Sequence, residues 1–126
     1  MAKTVIRSAQ LTPPPAPLSP AILSQGFVFI SGQPPYFGDR QVAKGDFEAQ
    51  FRQVMHNILT LLNEAGSSIE KVVKTQVFLT DAANFAHMNA LYREYFPADA
   101  YPARTTMICG LGNPDFLLEI ECIAEA

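Results

Sequence analysis

The stretch DFEAQFRQVMHNILTLLNEAGSSIEKVVKTQVFL, residues 46–79, changes its hydrophobic period once, and that change decides the fold class. Phe47, Phe51, Val54, Ile58, Leu61 and Leu62 recur at spacings of three and four, which puts them on one stripe of a helix. Asp46 stands near the start and Gly66 just past the end, as capping and termination require. The pattern then becomes VVKTQVFL over 72–79, β-branched and aromatic, which reads as a strand.

Toward the C-terminus, Thr80 or Asp81 can cap a second helix whose apolar face is Phe85, Met88, Tyr92 and Phe96. Pro97 follows that helix, and Pro102 comes after a short loop. Residues 103–109 and 117–124 give two more strands around the turn-rich segment GLGNPD. Toward the N-terminus, GFVFISG at 26–32 is a strand, Val5 and Ile6 add a short one, and Gly38-Asp39 turns into another near 41–43. Five of the ten prolines lie between Pro13 and Pro20, so that segment is an extended leader packed along the domain. The order is strands, helix, strand, helix, two strands. Helices of about 15–20 residues then cover one face of a mostly antiparallel or mixed sheet.

Composition bounds the rest. A chain of 126 residues has room for one domain, residues 1–126. Its 17% charged residues fall below the ~25% usual for globular domains, which implies surface hidden in an oligomer. Nine Lys and Arg against twelve Asp and Glu, with no basic run, argue against a nucleic-acid partner. Cys109 and Cys122 have no metal-ligand or C-x-x-C spacing and read as small hydrophobes in a reducing compartment. No apolar run has the length of a signal peptide or of a membrane span, so a cytoplasmic protein with no membrane partner is expected.

In the last strand, Leu118, Ile120, Cys122 and Ala124 share one face, and Leu117, Glu119, Glu121 and Ile123 share the other. If the first set meets the helices, the second faces away from them, mixing apolar groups with carboxylates. A subunit interface holding a polar pocket has that composition, and so does an open solvated face. Arg104 sits one position into a strand, on a face with Thr106 and Ile108. Its planar fork of donors suits a carboxylate ligand, or else it pairs with Glu119 or Glu121. A simple hairpin centred near Gly112 would bring these groups together. Glu119 and Glu121 can orient a water or simply be solvated. Asn89, four residues after Phe85 and three before Tyr92, puts an amide on the apolar side of its helix, where it must find a partner or a ligand. His56 and His87 lack a second ligand at metal spacing, and no metal site is expected. Gly110-Leu111-Gly112 is a turn and lacks the setting of a dinucleotide fingerprint.

Taken together, SGQ at 31–33, GDFEAQFRQVMHNI at 45–58, AGSSIEKVVKTQVFLTD at 65–81, FAHMNALYREYFP at 85–97, PAR at 102–104 and LEIECIA at 118–124 carry a resemblance. The chain resembles the RidA family, the reactive-intermediate (enamine/imine) deaminases, also known as YjgF-type or perchloric-acid-soluble proteins. The resemblance covers the chain from about Pro17 onward. It implies an α/β (α+β) fold like that of chorismate mutase. Two helices lie on one face of a mixed six-stranded sheet, and the other face packs into the central β-barrel of a homotrimer. In that fold the last strand inserts between earlier ones, which argues against the hairpin.

The implied reaction is hydrolysis of 2-imino acids or their enamine tautomers to 2-oxo acids and ammonia, without a cofactor, in clefts between subunits. Arg104 matches the arginine that binds the substrate carboxylate, and Glu119 matches the glutamate that positions the attacking water. Ser31, Gly32, Asn89 and the Thr106 backbone match pocket-lining positions. In the leader the deaminating archetype carries a tyrosine where this sequence has Leu18, which makes the pocket rim more apolar. The PLSP leader and Cys109-Gly110-Leu111 are closer to the branch that includes the aminoacrylate deaminase. The resemblance also admits a trimer that binds small carboxylates without turnover. A ribonuclease activity, sometimes attributed to this family, is at odds with the acidic balance.

Overall fold

The structure, a computed structural model, describes residues 2–126. Six strands, β1 (Thr4–Ile6), β2 (Ala21–Ser24), β3 (Phe27–Gln33), β4 (Val72–Leu79), β5 (Ala103–Ile108) and β6 (Leu118–Glu125), form one sheet. Helix α1 (Phe47–Glu64) follows β3, and helix α2 (Phe85–Tyr92) lies between β4 and β5. The sheet order is β1-β2-β3-β6-β4-β5. All neighbours are antiparallel except β4 and β5, which run parallel because α2 carries the chain back across the sheet between them. Two helices on a mixed six-stranded sheet is the expected architecture.

The last strand lies in the middle of the sheet, with β3 on one side and β4 on the other. This removes the hairpin centred near Gly112, since β4 separates β5 from β6. Three further details differ from the sequence reading. Ala21–Ser24 is a strand of its own, joined to β3 by Gln25-Gly26, both at positive φ (54° and 81°). That two-residue turn matches the twist of the strands it joins, and glycine makes its second position cheap. No strand forms at 41–43; a single bridge, Phe37 to Gln41, closes the turn there. Helix α2 has only eight residues, because Asp81 caps a 3-10 turn ahead of it and Glu94 and Tyr95 bond three residues back, tightening the chain out of the helix.

The Asp46 side chain accepts from the Ala49 amide at 3.0 Å and starts α1 as its sequence requires. The stripe of α1, extended by Met55, packs on Ala21, Val28 and Ile30, on Val77 and Leu79, and on Leu118, Ile120, Cys122 and Ala124. Burial pushes the Cys122 thiol up to about 12, so it remains a neutral core group. Gln50, fully buried in α1, donates to the Ala43 and Asp115 carbonyls and accepts from the Leu117 amide, tying the loop before β6 to the helix. The opposite sheet face leaves Phe27, Phe29, Val73 and Met107 exposed around Glu119 and Glu121. Among the described residues, no helix is long and apolar enough to cross a membrane.

Candidate functional site

Two groups of polar side chains converge, and the sheet separates them. The first forms on β5. Arg104 lies opposite Thr75 and Thr106 opposite Val77 in the parallel ladder, and both β4 residues are buried on the helix side. Arg104 and Thr106 therefore also face the helices. The Arg104 guanidinium carbon sits 5.0 Å from the ring centre of Tyr92 and 5.8 Å from that of Phe85. No carboxylate reaches it among the described residues, so the alternative pairing with Glu119 or Glu121 does not form. Nearby, Asn89 Oδ1 and Thr106 Oγ1 are buried with no hydrogen-bond partner. Asn89, Tyr92, Tyr101, Pro102 and Arg104 line a cavity of about 310 Å³. Burial raises the Tyr92 hydroxyl above its ordinary pKa, against the opposing effect of its bond to Thr75, so it stays a neutral phenol.

The second group forms on the open face. Glu119 lies opposite Phe78 and alternates with the buried Leu118 and Ile120. A bulge in β3 between Ile30 and Gln33 brings Gly32 under it, so closely that a Cβ at position 32 would sit 2.9 Å from Glu119 Oε2. Ser31 ties the leader to this bulge: its amide donates to the Pro20 carbonyl at 3.0 Å and its hydroxyl to the Ser19 carbonyl at 2.6 Å. A groove of about 540 Å³ results, lined by Pro13, Leu18, Ser31, Gly32, Phe116 and Glu119 among others. Desolvation raises the Glu119 pKa, and the Glu121 charge raises it further.

Of the residues singled out in the sequence, the structure brings Leu18, Ser31, Gly32 and Glu119 together on one groove, and Arg104 and Asn89 together on the other cavity. Thr106 lies two residues along the helix-side face from Arg104. Within one chain the two sets do not meet. The rings around Arg104 and the Thr75 hydroxyl bonded to Tyr92 were not recognisable as site residues. Their signal was only the spacing of Phe85, Asn89 and Tyr92, which also describes a core face. Among the described residues no three His, Cys, Asp or Glu side chains gather as metal ligands.

Residues 9–126 match the family model described as Endoribonuclease L-PSP. The chain belongs to this family, which includes RidA. A RutC family protein of Pyrococcus abyssi is 40% identical over 125 residues, 98% of each chain. Among solved structures, the Rid family protein YyfA of Yersinia pestis, described as of unknown function, superposes with a TM-score of 0.92 at 37% identity, covering 99% of this chain and 100% of that one. E. coli TdcF with bound serine superposes with a TM-score of 0.87 at 27% identity, covering 98% of each chain. The two-helix, six-stranded architecture is thus the chorismate-mutase-like fold of the L-PSP family, with β6 inserted at the centre of the sheet.

Proposed function

We propose that this protein is a single RidA-like domain over residues 1–126 that works in the cytoplasm as a homotrimer. Its reaction is the hydrolysis of reactive 2-imino acids, or their enamine tautomers, to 2-oxo acids and ammonia. The observation that carries the reading is the condition of Arg104. Its guanidinium is held against two rings and has no acidic partner among the described residues, while two buried polar atoms beside it lack partners. Unpaired buried polar groups are costly: the Thr106 hydroxyl can donate to an anion held by the cation, and Asn89 Oδ1, which only accepts, suits an N–H group of the same ligand. A planar carboxylate matches the guanidinium fork. That TdcF holds serine, itself a small carboxylate, supports this ligand class.

Glu119 serves as the group that orients water. Because Arg104 and Glu119 lie on opposite faces of one sheet, a site using both draws Arg104, Asn89 and Thr106 from one protomer and Ser31, Gly32, Leu18 and Glu119 from the next. The apolar open face, with Phe29 44% and Met107 46% exposed, is the surface that trimer formation covers. Arg104 fixes the carboxylate, and Glu119 directs a water at the C=N carbon. Oxygen bonds to that carbon, the C–N bond breaks, ammonia leaves with the transferred protons, and a C=O group remains. An enamine first tautomerises to the imine. The electrophile accepts water readily, so orientation supplies most of the catalysis, and the reading requires no cofactor.

The test is release of ammonia and 2-oxo acid from an imine generated in situ by an amino acid oxidase. Wild type accelerates release over buffer and Arg104→Ala does not; equal rates for wild type and buffer defeat the proposal. Leu18, 47% exposed on the groove wall with a side chain that cannot hydrogen-bond, favours a second reading: a trimer that binds small carboxylates without turnover. Tight binding of 2-oxobutyrate or benzoate with no ammonia release would select it.

A further inference from the structure

Phe85 is an apolar ring that the core does not use. It is 42% exposed at the first position of α2, and the core formed by Met88, Leu91 and Tyr92 does not include it. What it touches is Arg104, at 5.8 Å from its ring centre. Tyr92 lies two helical turns further along the same face and approaches the same guanidinium at 5.0 Å. Asn89 falls between the two rings on that face, four residues after one and three before the other. The rings thus bracket the cation, and the amide with the unpartnered Oδ1 lies inside the bracket.

The bracket is registered to the sheet. The Tyr92 hydroxyl is bonded to Thr75 Oγ1 at 2.8 Å, both groups buried, and Thr75 is the residue directly opposite Arg104 in the β4–β5 ladder. One rung of the sheet therefore sets both the origin of the arginine side chain and the tilt of the ring that receives it. An arginine on an edge strand has many rotamers, and fixing it by a carboxylate would occupy its donors. Fixing it by aromatic faces holds the plane of the guanidinium and leaves its N–H edge free.

We propose that Phe85 and Tyr92, with Thr75 as the tether of Tyr92, are positioning residues that pre-orient Arg104 for the substrate carboxylate. The inference rests on the carboxylate-clamp reading of Arg104 given above. It predicts a binding effect separable from chemistry, measured on the full chain as affinity for pyruvate by calorimetry and as KM and kcat for an imine formed in situ. Phe85→Leu, at an exposed position that the core does not need, weakens pyruvate binding and raises KM about three- to tenfold with kcat nearly unchanged. Tyr92→Phe, which keeps the ring and loses the tether, gives a smaller effect of the same kind. The melting temperature of Phe85→Leu stays at the wild-type value while its pyruvate affinity falls, an outcome that a general loosening of the fold would not produce. Wild-type pyruvate affinity in both Phe85→Leu and Tyr92→Phe, while Arg104→Ala loses binding, overturns the inference, as does a loss of affinity in Phe85→Leu that is accompanied by a fall in its melting temperature. Wild-type affinity in Arg104→Ala itself defeats the clamp reading, and the positioning role falls with it.

Discussion

Arg52 and Arg104 each lie over a tyrosine ring and use their donors in opposite ways. Arg52, on α1, donates to Glu48 at 3.2 Å, to Glu94 at 3.0 Å and to the Tyr95 hydroxyl at 3.2 Å, and lies 5.9 Å from the Tyr95 ring centre. Those bonds, Tyr95 first and Glu94 next, raise its pKa further and fix it as a cross-brace between α1 and the chain after α2. Arg104 has the rings without the acids. A guanidinium with its fork filled holds a structure together, and one with its fork open is available to something outside the chain.

The largest effect is expected at the open fork of Arg104. Arg104→Ala is expected to lower turnover about a hundredfold or more, the loss of a charge-assisted bidentate contact, with the melting temperature little changed because its contacts in the chain are to ring faces and no acid is left unpaired. A loss of stability without loss of turnover would make Arg104 a structural brace, as Arg52 is. Next in size is Gly32→Ala. The added Cβ meets only the end of the Glu119 side chain, so the fold tolerates it and the carboxylate moves. Turnover should fall about tenfold with pyruvate affinity retained, since the displaced group orients water and Arg104 holds the carboxylate.

Glu119 gives a pH test of intermediate size. Its pKa is raised by burial and by Glu121, so the protonated form is favoured by the folded chain. That contribution to stability is complete below the ordinary glutamate pKa and is lost as pH rises through the raised value. Glu119→Gln should therefore be more stable than wild type near neutral pH while losing turnover, and the acid limb of the wild-type pH–rate profile should lie above the ordinary carboxylate range. Glu121→Gln should shift that limb to lower pH; a limb that does not move assigns it to another group. The smallest effect is expected at Arg52. Arg52→Ala should change turnover less than twofold and lower the melting temperature slightly, as its bonds lie at an exposed surface.

These contrasts also mark how far the sequence could be read. The α1 stripe, the β4 strand and the in–out alternation of β6 from Leu118 to Ala124 follow from local periodicity and recur in the structure, whereas Leu117, expected on the open face of that strand, lies just before it and packs against the core. Strand β2 was hidden because four residues between prolines and a glycine turn carry too short a pattern. Phe96 continues the spacing of the second helix, yet it is buried from a loop beyond the helix end, so the periodicity overstates the length of that helix. At the candidate site, Arg104, Glu119, Asn89 and Ser31 could be singled out as residue types in unusual settings. Their grouping could not, since it depends on which strands neighbour each other.

By itself the sequence determined the composition of each face: what lies under the helices, which face of β6 carries carboxylates, and that an arginine stands in a strand. Periodicity within a segment is a local property and survives without knowledge of the partners. The insertion of the last strand was implied by the family resemblance and not by any spacing in the chain; the tertiary structure places it between β3 and β4, puts Arg104 and Glu119 on opposite faces, and sets Arg104 against rings where an acid was an alternative. Strand order is set by long-range pairing and by the parallel crossover through α2, and no spacing within a strand encodes its neighbours.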